Sequence, residues 1–210
     1  MKKYFLGGIV TGFLLFGMLG FASATILESK INMDNGYEIF LSTDDSVQGI
    51  SFGSLNDWYT TDTRTTNLTA GTDYYLHVYG YNQGNIAGFL GEFSLSGSDH
   101  RFANDTTSLL TNTGDWSGNN SGWGSSYTAL VDLGANGSSS PWGTTHTNAI
   151  PNTARWIWGG DAGSNSKTYF STTISAVSAT SAPAPIPEPA TMFLLGIGLI
   201  GAARVGRRKK

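Results

Sequence analysis

The sequence contains no cysteine, and this absence excludes several classes of site at once. Without thiols the chain cannot form a disulfide framework, a thiolate zinc site or a cysteine nucleophile. It also lacks the cysteine that a lipoprotein anchor requires. The folded part of the chain must therefore be stabilised without covalent cross-links.

Charged residues are scarce as well, at 13% of the 210 residues. Seven of the 12 basic residues lie in residues 1–24 and 187–210, so residues 25–186 hold five basic and fourteen acidic residues, a net charge of −9. An acidic body repels phosphates, so we expect no nucleic acid partner. With 40% apolar and 12% aromatic residues, the composition indicates a folded body.

The sequence also lacks the local motifs of common enzymes. It has neither a His-Glu-x-x-His nor a Gly-x-Ser-x-Gly motif, and His77, His100 and His146 are far apart. Fourteen carboxylates permit an acid/base pair such as Glu38 with Glu92, but nothing in the sequence selects one pair. We therefore predict that the body is not an enzyme.

The N-terminus has the pattern of a secretory signal peptide. Lys2 and Lys3 precede an uncharged run over residues 4–21, which is followed by the small-x-small site Ala22-Ser23-Ala24. This order predicts cleavage by signal peptidase after Ala24, so residues 1–24 are excluded from the fold. The alternative is a retained membrane helix.

The C-terminus has three elements in a fixed order. A linker at residues 178–186 leads to the motif Pro187-Glu188-Pro189, an uncharged run follows at residues 190–203, and the chain ends in a basic cluster: Arg204, Arg207, Arg208, Lys209 and Lys210. This order resembles the PEP-CTERM sorting signal of Gram-negative bacteria. The resemblance implies a precursor that is anchored transiently in the inner membrane, processed by an exosortase, and released or transferred to the surface.

The physical properties of residues 187–210 agree with that resemblance. As a helix, residues 190–203 would be roughly 21 Å long against a hydrocarbon core of about 30 Å, which predicts a short transmembrane helix with its flanks near the interfaces. The basic cluster should stay in the cytoplasm. The two prolines keep Pro187-Glu188-Pro189 extended and outside the helix. An enzyme in the membrane can reach the motif in that position.

Residues 25–177 show alternating patterns rather than helical periodicity. Short runs rich in β-branched and aromatic residues recur between Gly, Asn, Asp and Ser clusters. In residues 73–81, for example, Tyr74, Leu76 and Val78 alternate with Tyr75, His77 and Tyr79. Many short strands separated by turns predict a single antiparallel β-sandwich of the jelly-roll type.

Several short segments of the body are similar to the galactose-binding-like β-sandwich modules that accompany bacterial glycoside hydrolases. The matching segments are residues 34–40, 68–72, 84–89, 141–143, 154–158 and 169–173. Residues 42–49 depart from the family, which often has a tight Asn-Gly turn there. The resemblance implies a galactose-binding-like sandwich and, by extension, a carbohydrate ligand.

The six tryptophans all lie in the acidic body and suggest where a sugar would bind. An indole ring beside Asn or Asp side chains suits the apolar face and hydroxyl edge of a sugar. We predict carbohydrate-binding roles for four of them: Trp58, Trp116, Trp123 and Trp142. Trp116 and Trp123, in the glycine-rich residues 114–124, are the best loop candidates, and the alternative for any single tryptophan is the sandwich core.

We expect no cofactor except a possible structural calcium. Asp44-Asp45 and the loop at residues 161–165 supply oxygen ligands, although neither follows a complete calcium-loop pattern. The sequence thus predicts an exported cell-surface or matrix protein, routed by an exosortase, whose sandwich associates with the exopolysaccharide of a biofilm. The alternative is a structural or adhesive matrix component without a specific sugar site.

Overall fold

A computed structural model describes residues 24–178 except 138–141, 144–148, 161 and 164–165, and these described residues form twelve strands and no helix. The all-β fold class is therefore confirmed. The strands are β1 (Thr25–Asp34), β2 (Gly36–Ser42), β3 (Ile50–Leu55), β4 (Asp62–Leu68), β5 (Tyr74–Tyr81), β6 (Gly88–Leu95), β7 (His100–Phe102), β8 (Ser108–Leu110), β9 (Ser117–Asn119), β10 (Leu130–Ala135), β11 (Arg155–Gly159) and β12 (Lys167–Ala176).

The strands form two antiparallel sheets of six strands each. The first sheet has the order β10-β11-β6-β1-β4, with β8 also paired to β6. The second sheet has the order β3-β2-β5-β12-β7, with β9 also paired to β12. Contacts within the chain separate a unit that ends at Val177 from the remaining residues, Ser178–Lys210.

The main core lies between the two sheets. Ile31, Phe89 and Phe93 of the first sheet are fully buried, as are Val78 and Phe170 of the second. The rings of Phe89 and Phe170 have centroids 4.8 Å apart, so the inner faces of the sheets touch directly. Burial of such side chains contributes roughly 1.5–3 kcal/mol each, which stabilises the sandwich without cross-links.

A second, smaller core covers the other face of the first sheet. It consists of Leu90, Trp142, Ile150, Ala154 and Trp156. The indoles of Trp142 and Trp156 stack with centroids 4.2 Å apart and planes 15° apart. Because alternate residues of a strand face opposite ways, β6 serves both cores, with Phe89 toward the other sheet and Leu90 toward this cluster.

A tight corner joins the two sheets where β1 of the first passes into β2 of the second. The backbone N–H of Asn35 donates to the carbonyl oxygen of Tyr81 (3.1 Å), and Gly36 lies opposite Tyr81 in the β2–β5 register. A Cβ atom at Gly36 would lie 2.5 Å from the Tyr81 ring, so a larger residue would force that ring to move. The turn that the sequence Asp34-Asn35-Gly36 predicts is therefore a change of sheet.

The structure corrects the interpretation of Trp116 as a loop residue that faces a ligand. Trp116 is only 3% exposed and lies immediately before β9, in the main core. Its ring centroid is 5.2 Å from that of Phe89 and 5.2 Å from that of Phe93. The surrounding glycines predict a loop, but the adjacent strand β9 turns the indole inward against β6.

We therefore expect Trp116→Ala to destabilise the fold rather than to alter a binding surface. Truncation of a buried indole leaves a cavity, which predicts a loss of about 3–5 kcal/mol in the free energy of unfolding. Trp58→Ala removes the same side chain from a partly exposed position and should cost clearly less. Denaturant unfolding of both variants measures the difference, and equal losses would contradict the core assignment.

Candidate functional site

The central strand β5 of the second sheet presents a row of rings on its outer face. Leu76 and Val78 are fully buried in the main core. Because side chains alternate along a strand, the residues between and beside them face outward. These outward residues are Tyr75, His77, Tyr79 and Tyr81.

The neighbouring strands extend this row. Glu38 of β2 and Tyr169 of β12 both lie opposite Tyr79 in the strand register. The rings of Tyr79 and Tyr169 have centroids 4.9 Å apart and planes 41° apart. The register therefore places two partly exposed tyrosine rings and a carboxylate side by side.

A turn after β9 crosses the same face and positions Trp123. The side-chain Oδ1 of Asn119 accepts hydrogen bonds from the backbone N–H groups of Ser121 (2.8 Å) and Gly122 (2.9 Å). Gly122 and Gly124, on either side of Trp123, have φ values of +123° and +81°, which glycine adopts without steric cost. The glycines that predict a loop are thus required by the turn that carries this indole.

Trp123 covers the middle of the outer face. Its ring stacks on His77, with centroids 4.2 Å apart and planes 8° apart. It meets Tyr169 edge to face at 4.9 Å and 86°, and Phe40 at 6.3 Å and 74°. The indole is therefore fixed by three rings from three different strands while part of it stays exposed.

These side chains enclose an open cavity of about 180 Å³, which we call the aromatic groove. Its lining residues are Glu38, Phe40, Gln48, Tyr79, Trp123 and Tyr169. Glu38 makes no hydrogen bond or ion pair with any residue that the structure describes. The groove thus combines ring faces with the unpaired carboxylate of Glu38 and the exposed side-chain amide of Gln48.

Beneath Trp123, one carboxylate oxygen holds several parts of this face together. Asp45 Oδ1 accepts hydrogen bonds from Ser171 Oγ (2.6 Å) and Tyr127 Oη (2.7 Å), and lies 3.0 Å from His77 Nε2. The other ring nitrogen of His77, Nδ1, lies 3.2 Å from the carbonyl oxygen of Gln48. His77 is fully buried, so both ring nitrogens are occupied within the protein.

The hydrogen bonds to Asp45 favour its ionised form. Burial raises the pKa of the Asp45 carboxyl, but the hydrogen bonds from Ser171, Tyr127 and His77 outweigh burial and hold the pKa below its ordinary value of 3.8. Burial and the Asp45 charge raise the pKa of the Tyr127 hydroxyl, which therefore stays protonated and donates. A polar cavity of about 550 Å³ adjoins Asp45 and Tyr127.

The predicted tryptophans fall in three different places. Trp123 lines the aromatic groove, and Trp116 lies in the main core. Trp58 and Trp142 line a separate cavity of about 220 Å³ beside Asp34. Trp142 is only 4% exposed, and its Nε1 donates to Asp34 Oδ2 at 2.9 Å, which agrees with the core alternative for this tryptophan.

Sequence reasoning missed most of the aromatic groove. Tyr79 and Tyr169 are visible as outward residues of alternating strands, but 90 residues separate them and only the strand register shows that they meet. Glu38 carries no motif at all. The partner that orients His77, Asp45, was equally hidden because it lies 32 residues away in a loop.

The described residues neither place nor exclude a calcium ion at the predicted ligands. Among them, no three His, Asp or Glu side chains group closely enough to hold a metal ion. Asp45 instead uses Oδ1 to bind three donors of the protein. The second predicted loop includes Asp161, Ser164 and Asn165, which lie outside the described residues. Structural calcium therefore stays a prediction.

The predicted targeting segments lie almost wholly outside the described residues. This applies to the signal cleavage residue Ala22, to the motif Pro187-Glu188-Pro189 and to the basic cluster, whereas Ala24 is described and precedes β1. His146 is also outside them. No helix in the described part of the chain is long and apolar enough to span a membrane.

Comparison with known proteins identifies the C-terminal segment. Residues 185–209 match the family model described as the PEP-CTERM protein-sorting motif. No curated protein and no solved structure matches the chain significantly. The matched segment is the sorting signal of exosortase substrates, so this is an exported protein of a Gram-negative bacterium with a membrane-anchored precursor. The two-sheet sandwich is consistent with a galactose-binding-like module, and that closer relationship stays a prediction.

Asp45→Asn tests the hydrogen-bond centre beneath Trp123. An amide accepts hydrogen bonds more weakly than the Asp45 carboxylate does. The change should therefore lower the free energy of unfolding by about 1–3 kcal/mol at neutral pH. The folded-state pKa of Asp45 is depressed, so its stabilisation is present above pH 3.8 and is lost as the pH falls through that lower pKa. The stability gap between wild type and variant should therefore close in acid.

The matched control for this change is Asp44→Asn. Asp44 is exposed, and within the described part of the chain its Oδ1 accepts only from Ser46, through the backbone N–H (2.8 Å) and Oγ (2.7 Å). The control should be much less destabilised than Asp45→Asn when both are unfolded by denaturant across acidic and neutral pH. Equal losses in the two variants, or a gap that widens in acid, would contradict the role of Asp45.

Proposed function

We propose that this exported protein binds exopolysaccharide through the aromatic groove and that its role is binding rather than catalysis. The observation that carries the proposal is the set of three partly exposed rings, Tyr79, Trp123 and Tyr169, around one open cavity. A cluster of partly exposed rings is typical of an interaction surface, and in this groove contacts between the rings hold them in place.

The chemistry of the groove suits a sugar chain. Pyranose rings present apolar C–H faces that pack on aromatic rings, while their hydroxyl groups need hydrogen-bond partners at the edges. Glu38 and Gln48 provide such partners beside the rings. The groove opens on the outer face of a sheet, which gives a long polymer access from the side.

The arrangement around His77 supports a binding role over acid/base catalysis. A general base needs a ring nitrogen that can reach a substrate proton. Both nitrogens of His77 instead lie within hydrogen-bond distance of acceptors in the protein, Gln48 O and Asp45 Oδ1, and Trp123 covers the ring. This histidine orients the groove and has no route to a ligand.

The sorting signal gives the route by which the sandwich reaches its ligand. In our proposal, signal peptidase cleaves after Ala24 and an exosortase then acts near Pro187-Glu188-Pro189. The mature body leaves the inner membrane for the cell surface or the matrix of a biofilm. The acidic body, with a net charge of −9 over residues 25–186, stays soluble there.

Ring truncation in the groove tests the binding proposal. We expect Tyr79→Ala and Tyr169→Ala each to weaken binding to the native exopolysaccharide about tenfold, since each removes one stacking face. Trp58→Ala, which changes the separate cavity beside Asp34, should leave binding unchanged. A glycan array followed by pull-down with polysaccharide from the native host provides the measurement.

Two other results would contradict sugar binding in the aromatic groove. If only Trp58→Ala weakened binding, the sugar site would be the cavity beside Asp34 instead of the groove. If the protein stayed in the matrix to the same extent in all three variants and bound no glycan on the array, it would be a structural or adhesive matrix component without a specific sugar site.

Processing at the sorting motif gives an independent test. Glu188→Ala removes the acidic residue between the two prolines, so we expect a longer precursor that stays in the membrane fraction. Thr180→Ala, in the linker before the motif, should be processed normally. Immunoblots of fractionated native cells and the C-terminal mass of the mature protein distinguish the two forms. Normal processing of the Glu188 variant would contradict the role of this motif.

A further inference from the structure

The aromatic groove contains a carboxylate that the protein itself leaves unpaired. Glu38 lies in β2 opposite Tyr79 and lines the groove with Trp123 and Tyr169. It forms no hydrogen bond or ion pair with the described residues. Ring faces and a carboxylate both attract a cation, so the two together favour a ligand with a cationic group.

Four of the five basic side chains in residues 25–186 are bound to partners within the protein. Of the five basic residues in residues 25–186, three are paired with carboxylates: Lys30 with Glu92, Arg64 with Asp62 and Arg155 with Asp132. Arg101 donates to the backbone carbonyl oxygens of Ser98 and His100. The fifth basic residue lies next to a ring of the groove.

That residue is Lys167, which lies near a ring of the groove. Its Nζ lies 5.8 Å from the centroid of the Tyr169 ring, within the range of a cation–π interaction. The Tyr169 ring therefore already accepts one ammonium group from the protein. On the acidic side, Glu38 lines the groove, and Asp44 and Asp45 line the polar cavity next to the same turn.

From this charge pattern we infer that the aromatic groove binds an amino sugar through its protonated amine. The ammonium group would lie among the rings of Tyr79, Trp123 and Tyr169 with Glu38 as its counter-ion. This inference rests on the proposed function and specifies its ligand: a polysaccharide with free amines, such as a partly deacetylated amino-sugar polymer. Neutral and uronic-acid polymers would bind less well.

The ring geometry leaves room for a cationic group beside a packed sugar. Trp123 and Tyr169 are nearly perpendicular, at 86°, and Tyr79 is tilted by 41° from Tyr169. Because the rings face different ways, one ring can pack on the sugar face while the others surround its amine from the sides. The cavity, at about 180 Å³, is small and suits a single sugar unit that carries such a group.

Calorimetric titration of the protein purified from its native host tests the inference. The probes are glucosamine, N-acetylglucosamine, glucose and galacturonate oligomers of matched length, at a mildly acidic pH at which the amines of the glucosamine units are protonated. We expect the glucosamine oligomer to bind tightest. Glu38→Gln should weaken that binding about tenfold, because a charge-assisted hydrogen bond is lost, and should leave binding of the glucose oligomer unchanged.

The matched control is Glu28→Gln, which makes the same change of charge on β1 in the first sheet, away from the groove. It should not affect any of the titrations.

Equal binding of the glucosamine and N-acetylglucosamine oligomers, or equal effects of the two Glu→Gln changes, would overturn the inference while the proposed function stood. Tightest binding of the galacturonate oligomer, abolished by Lys167→Gln, would also overturn it. If none of the four oligomers and no native exopolysaccharide bound, both proposals would fail.

Discussion

The outer face of the second sheet depends on the hydrogen bonds that converge on one oxygen, Asp45 Oδ1. Strand alternation turns His77 away from the main core, yet this histidine is fully buried because Trp123 stacks on it and the loop after β2 supplies Asp45. Ser171 from β12 and Tyr127 from the turn after β9 bind the same oxygen. Four separate parts of the chain are thereby held in one arrangement, and the walls of the groove keep their spacing because of it.

Alternation of apolar and polar residues predicted the all-β fold class, because this pattern depends only on neighbouring residues in the chain. β5 (Tyr74–Tyr81) alternates between apolar and polar residues and lies within residues 73–81, where the sequence predicts it. β4 (Asp62–Leu68) gives a much weaker signal because, at the end of its sheet, it is mostly polar. β1 (Thr25–Asp34) alternates, with Leu27, Ile31 and Met33 buried, but its place between β4 and β6 depends on pairing that local alternation does not show.

The candidate site could be predicted only in outline. Glycine-rich surroundings identified Trp123 as a turn residue, but the same reasoning placed Trp116 on the surface, since sequence spacing does not show which indole turns toward the core. Tyr79, Tyr169 and Glu38 meet through strand register, which depends on pairing over long separations in the chain. The sorting signal was visible because all its elements lie within the last 24 residues and need no tertiary structure to be read.

The last strand has a mechanical consequence for a protein that is routed by its C-terminal end. β12 (Lys167–Ala176) is bonded to β5 along one edge and to β7 and β9 along the other, and the backbone N–H of Ala176 donates to Asp73 Oδ1 at 2.7 Å. The sandwich ends one residue later, at Val177. In the membrane-anchored precursor, tension on the linker therefore reaches a strand with neighbours on both sides. The hydrogen bonds on both edges of β12 share such a load and resist removal of this strand from its sheet.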